Sequence, residues 1–138
     1  MPIMPGMDAV AIEEKLKGYL NANAEREGIA AAWLFGSVAR WILRPGGDVN
    51  LGILYSEDPS PGFERFGFEL DGERKDLQGL LVQVVVLNRA PVDLIIQVLR
   101  HNKLLVERDR SKRVHFEVRS RNEYWDLEPY LTAIRAKL

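Results

Sequence analysis

The residues with the clearest chemical potential lie in the stretch LFGSVARWILRPGGDVNLGIL, from residue 34 to residue 54. One apolar run ends at Gly36 and Ser37, and Asp48 and Asn50 open a second run about ten residues later. A Gly-Ser turn that leads into a helix offers backbone N–H groups and a hydroxyl to phosphate oxygens. In a strand, positions 48 and 50 lie on one face, where two carboxylates could share a metal ion. The second residue is an amide, so the stretch has the layout of a phosphate-handling site with part of its charge missing.

Alternating helices and strands must position these residues. An apolar stripe at helical spacing predicts a helix over residues 7–26, and the unbroken apolar run 29–36 predicts a buried strand. A short helix over 37–43 and a strand over 48–55 are expected next. Residues 63–80 fit one helix face and a hairpin equally well, and we favour the helix.

The second half of the chain continues this alternation. Residues 80–88, LLVQVVVLN, predict a strand because β-branched residues crowd a fully apolar run. Pro91 suits the first turn of a helix that reaches about Asn102, and residues 103–107 predict a short edge strand. The order of elements favours an α/β or α+β fold, in which helices pack on a mixed sheet.

The last part of the chain predicts a long helix. Asp109 is a good cap for a helix that runs to about Asp126, and Pro129 is expected to start a separate helical segment. The apolar side chains expected to face inward in the long helix are Val114, Val118 and Trp125.

Composition limits the classes of function. A chain of 138 residues with 46% hydrophobic residues is expected to form one compact domain, residues 1–138. The absence of cysteine excludes disulfides, thiolate catalysis and thiolate zinc sites. No apolar run approaches the roughly 20 residues of a membrane span and no signal-peptide pattern is present, so we expect a cytoplasmic protein without a membrane partner. The net charge of −1 argues against nucleic acid as a partner, although residues 100–121 carry 8 basic and 3 acidic side chains.

Two motifs together resemble a known family. The run Gly36-Ser37-x-Ala39-Arg40, followed by Asp48-x-Asn50-Leu51, is similar to the signature of the polymerase-beta-like nucleotidyltransferases, and most of all to the minimal nucleotidyltransferases (MNT). That signature reads Gly-Ser-x-Ala-Arg-Gly, then Ser-Asp-x-Asp-Leu, with a third Asp on a later strand. The resemblance covers about residues 8–133 and implies the polymerase-beta-like nucleotidyltransferase fold.

The resemblance also assigns roles. It implies that Gly36, Ser37 and Arg40 bind the nucleotide, which would be ATP or another nucleoside triphosphate. Asp48 matches the first metal carboxylate and Asn50 matches the second. In such enzymes two Mg²⁺ ions about 3.5–4 Å apart clamp the phosphates and activate the attacking hydroxyl.

The third carboxylate of the signature has two candidate positions here. Val92-Asp93-Leu94 invites an assignment to Asp93, but Asp93 follows a proline at a helix start, where the helix dipole by itself favours a carboxylate. Counting back from LLVERD places the third position on Gln83 instead. The catalytic set implied by the resemblance is therefore Asp48, Asn50 and Gln83, of which only Asp48 can hold a metal ion by charge.

Two further departures cluster near the same site. Trp41 stands where the signature has Gly, and Gly47 stands where it has Ser. With a single carboxylate, Mg²⁺ binding is expected to be weak or absent, and we interpret the chain as a degenerate nucleotidyltransferase.

Three functions follow from this interpretation. Active members of the family resemble antitoxins that pair with HEPN-domain RNases and modify them with adenylyl groups from ATP. The first hypothesis is therefore that this protein is an antitoxin that acts by binding a HEPN-domain protein, and that its own catalysis is weak or lost. The basic helix 109–126 and Tyr124 are candidate contacts. The second is an enzyme with residual transferase activity through Asp48 and Ser37. The third is a nucleotide or RNA sensor that uses the basic stretch 100–121.

Overall fold

The computed structural model of the protein describes residues 9–36, 48–58, 81–100 and 102–137. The elements in chain order are α1 (Ala9–Glu27), β1 (Ile29–Phe35), β2 (Asp48–Tyr55), β3 (Leu81–Val86), a 3₁₀ turn (Leu87–Arg89), α2 (Val92–Arg100), β4 (Asn102–Glu107) and α3 (Arg110–Ala136). These bounds confirm the predicted strands and helices to within a few residues up to β4. The predicted helix at 37–43 and the ambiguous segment 63–80 lie outside the described residues.

The described strands form one mixed sheet in the order β3-β2-β1-β4. β2 and β3 are parallel, whereas β1 is antiparallel to both β2 and β4. The predicted mixed sheet with an edge strand at 103–107 is therefore confirmed. β1 lies in the middle, and its unbroken apolar run is buried along almost its whole length, as expected for a strand covered on both faces.

The sheet separates two apolar cores. On one face α1 packs through Ile12, Leu16 and Leu20 against strand residues that include Leu34 and Ile53. On the other face α2 and α3 cover Trp33, Leu54 and Leu87. The rings of Trp33 and Phe116 meet here at a tilt, with centroids 6.2 Å apart, so this contact ties α3 to the central strand.

The far end of β2 is fixed by an asparagine. Asn88 accepts a hydrogen bond from the backbone N–H of Tyr55 at 2.8 Å and donates one to its carbonyl at 3.0 Å. The Tyr55 side chain is buried, and this burial raises its pKa from 10.0 to about 12. Asn88 thus continues the backbone pairing of β2 beyond the end of β3.

The buried face of α3 is not the one that the sequence predicted. Asp109 caps it as predicted, because its Oδ1 accepts a hydrogen bond from Lys112 N at 3.0 Å. The residues expected to face inward, however, are exposed: Val114 by 42%, Val118 by 52% and Trp125 by 70%. The buried residues are Phe116 and Ser120, which are four apart and share a face. The prediction was wrong because a small polar serine lies where the helix meets the rest of the domain.

The helix α3 also continues through Pro129, which was predicted to start a separate segment. Proline lacks an N–H, so the carbonyl four residues earlier loses its intrahelical donor. That carbonyl belongs to the exposed Trp125, where water can replace the missing hydrogen bond. Within the described residues, no helix combines the length and apolar character needed to cross a bilayer.

Candidate functional site

The predicted site residues are brought together by the register of the sheet. Asn50 on β2 is paired with Gln83 on β3 and with Phe35 on β1, and Phe35 is paired in turn with Asn102 on β4. We call Gln83, Asn50, Phe35 and Asn102 the cross-strand row. Paired residues on neighbouring strands point to the same face and lie about 5 Å apart, so the two amides are direct neighbours.

The face that carries this row is the one covered by α2 and α3. A Cβ added to Gly52 would lie 3.1 Å from side-chain atoms of both Leu87 and Val98, which places position 52 against α2. Asn50 is two residues earlier and therefore shares that face. Asn50 is half-buried and Gln83 is exposed, so the row opens to solvent beyond the helices.

The turn after β1 is held against Asn50. Gly36 has a φ of +86°, a backbone conformation that residues with a side chain rarely adopt. A Cβ at this position would also lie 2.7 Å from Nδ2 of Asn50. The backbone conformation therefore favours glycine here, and the end of the Asn50 amide packs directly on the Gly36 backbone.

The other predicted site residues are placed as follows. Asp48 opens β2, and its Cα is paired with that of Leu81. Ser37 and Arg40 lie outside the described residues, and so do Trp41 and Gly47, so their roles stay predictions.

Asp93 lies away from this site. It is in the first turn of α2 and is exposed. Because α2 follows β3 after a single 3₁₀ turn, it starts beyond the end of β3 opposite to Gln83. The choice of Gln83 over Asp93 as the third position stays a prediction from the resemblance.

The donor set at positions 48, 50 and 83 is one carboxylate and two carboxamides. Magnesium prefers carboxylate oxygens and loses its water reluctantly. In the described part of the chain, no three His, Cys, Asp or Glu side chains are grouped as metal ligands. One carboxylate does not fit a pair of Mg²⁺ ions.

A feature that sequence reasoning missed lies beside the row. A groove of about 300 Å³ runs between α2 and α3. The residues that line it are Ile96, Leu99, Arg100, Arg121, Tyr124 and Trp125. Arg100 lies over the Tyr124 ring, 5.5 Å from its centroid, and its Nη2 donates a 3.4 Å hydrogen bond to the Tyr124 hydroxyl. The available signal was the helical spacing within each helix, but it does not show that the two helices meet.

The α2–α3 groove lies at the same end of the sheet as the cross-strand row. Asn102, a member of the row, donates a hydrogen bond from Nδ2 to the carbonyl of Leu99 at 2.9 Å. Leu99 lines the groove. This hydrogen bond therefore joins the groove to Asn102, the member of the cross-strand row on β4.

Comparisons with known proteins agree with this architecture. The profile of the family "Polymerase beta, Nucleotidyltransferase" matches residues 14–111, which is more than two thirds of the chain. No curated protein sequence matches significantly.

Several solved structures share the fold. A mutant of the toxin–antitoxin MntA–HpeT superposes with a TM-score of 0.73 at 21% identity, covering 91% of this chain and 96% of the other. A toxin–antitoxin with AMP-PNP gives 0.72 at 22% identity, with coverages of 91% and 96%. The tri-AMPylated Shewanella oneidensis HEPN toxin in complex with MNT antitoxin gives 0.67 at 18% identity, with coverages of 91% and 97%. The chain therefore belongs to the polymerase beta nucleotidyltransferase family and has the fold of the MNT proteins, as its motifs predicted.

Proposed function

We propose that this protein is a degenerate MNT-type nucleotidyltransferase that acts as a binding antitoxin for a HEPN-domain protein, with catalysis weak or lost. The observation that carries the proposal is the pairing of Asn50 with Gln83 across β2 and β3. Two neighbouring amides occupy the positions at which the family signature has two of its three carboxylates.

The electrostatic consequence supports weak catalysis. Two bound Mg²⁺ ions bring four positive charges, against which this site offers the single carboxylate of Asp48. In a two-metal mechanism the ions contribute several kcal/mol of transition-state stabilisation. A site that binds the two ions weakly loses most of this transition-state stabilisation.

The solved structures that share this fold support the choice of partner. Structures similar over 91% of the chain are toxin–antitoxin complexes, one of them a HEPN toxin with an MNT antitoxin. The helices that surround the sheet keep their apolar packing here, although the amide pair departs from the signature. Binding to a partner depends on such surfaces, whereas chemistry depends on the few side chains at the strand ends.

The proposal is tested by separating the two properties. The protein is co-expressed with the HEPN-domain protein encoded next to it, if one is present, and the purified pair is incubated with radiolabelled ATP and Mg²⁺. We expect a stable complex and no transfer of label to either chain. Failure to form a complex, together with the absence of label transfer, would overturn the proposal.

A second candidate function is residual adenylyl transfer from ATP to the partner. It is favoured by the Gly36 turn, which keeps the positive φ expected of a phosphate-binding glycine. Labelling of the partner by the wild type, lost in Asp48→Ala and in Ser37→Ala, would establish this function. Asp48→Asn is the conservative control, because it removes the charge and keeps the size.

A further inference from the structure

We infer that the α2–α3 groove is the docking site for an acidic side chain, flanked by apolar residues, on the protein partner. This inference rests on the proposed function and specifies which surface of the domain holds the partner.

The groove is positively charged, since its described lining includes two arginines and no carboxylate. In the described part of the chain no carboxylate lies within salt-bridge distance of Arg100, whose recorded contacts are with the ring and hydroxyl of Tyr124. Among the residues that the structure describes, Glu117 is the one carboxylate within 4 Å of Arg121, at 3.8 Å. Glu117 is also paired with Arg113, so this one carboxylate is shared between two arginines. An incoming carboxylate would therefore gain charge-assisted hydrogen bonds from two guanidinium groups that have no full ionic partner among the described residues.

The remaining lining is suited to apolar flanking residues. Ile96 and Leu99 belong to α2 and are largely buried, whereas Trp125 is 70% exposed at the rim. A groove of about 300 Å³ is at the small end of ligand sites, which fits one or two side chains. Exposed tryptophan and arginine around a partly apolar pocket are the residues that most often dominate the energy of protein interfaces.

The neighbouring surface favours a protein over a nucleic acid. Beyond the groove, α3 exposes Leu127, Tyr130 and Ile134, which extend an apolar surface toward the end of the helix. Nucleic-acid sites line up several basic side chains along a tract that follows the phosphates, whereas the lining of the groove holds two, Arg100 and Arg121. The chain as a whole has a net charge of −1, which would repel a polyanion weakly and leaves a protein carboxylate as the better match.

The inference is tested on the complex with the co-expressed HEPN-domain protein by measuring its dissociation constant. The test variant is Arg100→Glu with Arg121→Glu, and Trp125→Ala is examined separately. The matched control is Lys15→Glu with Lys17→Glu, which makes the same charge change at exposed residues of α1, the helix on the other face of the sheet. We expect the test variant and Trp125→Ala each to weaken binding by at least about 30-fold, as for interface hot spots, and the control to stay within about threefold.

A charge swap locates the acidic residue. Each exposed Asp and Glu of the partner is changed to Lys in turn, and one such change should restore binding to the Arg100→Glu, Arg121→Glu variant. Equal affinities of the wild type and this variant would overturn the inference and leave the proposed function intact. Absence of binding by the wild type would overturn both. Single-stranded RNA or a second copy of this chain, bound by the wild type and lost in the same variant, would reassign the groove and also overturn the inference.

Discussion

Restoring the two missing carboxylates should make the fold depend on magnesium. In the variant Asn50→Asp with Gln83→Asp, two new charges would stand on paired positions of β2 and β3, about 5 Å apart at the spacing of neighbouring strands. Coulomb's law gives about 2–3 kcal/mol of repulsion at an effective dielectric constant of about 20–40. Position 83 is exposed, so solvent screening reduces the expected loss of stability to about 1–2 kcal/mol.

The expected change is measurable by thermal unfolding. For a domain of this size, a loss of about 1–2 kcal/mol lowers the Tm by roughly 3–7 °C in the presence of a chelator. Magnesium that binds only the folded state at about 100 times its Kd adds about 2.7 kcal/mol, so the Tm of the double variant should rise above its metal-free value. The Tm of the wild type should respond little to millimolar Mg²⁺, because only Asp48 supplies charge.

A matched control separates the site from a general effect of charge. Gln97→Glu with Asn122→Asp adds the same two charges at exposed helix positions and should leave the metal response unchanged. A double site variant that is as stable as the wild type without metal, and that does not respond to Mg²⁺, would refute the reasoning. That result would mean that the side chains at positions 50 and 83 do not face a common site.

Three further predictions concern the scaffold, and each is checked by equilibrium unfolding. Gly36→Ala should destabilise the fold by about 1–3 kcal/mol, because the positive φ at this position and the adjacent Asn50 amide both oppose a Cβ. The control is Gly18→Ala in α1, where nothing lies within 4 Å of the new Cβ; it should be neutral or stabilise the fold by up to about 1 kcal/mol. Phe116→Ala should cost about 3–5 kcal/mol by emptying the contact between α3 and β1, and a cost below about 1 kcal/mol would show that α3 does not depend on this ring. The pKa of Tyr55 is raised to about 12 in the folded state and is 10.0 when unperturbed, so its contribution to stability is complete below pH 10 and is lost as the pH rises to about 12. Tyr55→Phe should therefore lose less stability than the wild type between pH 10 and 12. Identical pH profiles of stability for the two proteins would contradict the raised pKa of Tyr55.

The strands of this fold were predictable because their apolar runs are buried on two faces. β2 begins and ends at the predicted residues, Asp48 and Tyr55, and the apolar run of β1 is bounded by Gly28 and Gly36. Such runs leave little choice of conformation or location. The orientation of α3 was not predictable in this way, because it has apolar residues on opposite faces. Packing of Phe116 against Trp33 decides which face is buried, and that contact joins residues more than eighty positions apart.

The candidate site, like the fold, was predictable only in part. Motif spacing placed Asn50 and Gln83 on two strands, and the register then makes them direct neighbours. Their assignment as former metal positions stays a prediction from the resemblance. The α2–α3 groove could not be predicted, because its lining comes from two helices whose contact depends on tertiary packing. Only the structure brings Arg100 over Tyr124.

The length of α3 has a consequence for its dynamics. Its 27 residues span about 40 Å, and from Arg121 to Ala136 none of its residues is buried. Helices in proteins gain most of their stability from packing, and Pro129 removes one more hydrogen bond from this half. Backbone amides in the last turns should therefore exchange with solvent through local opening, well before the amides near Phe116 do. If the partner binds along this half of the helix, part of its binding energy is spent on ordering these turns, and slower amide exchange there would be the earliest sign of the complex.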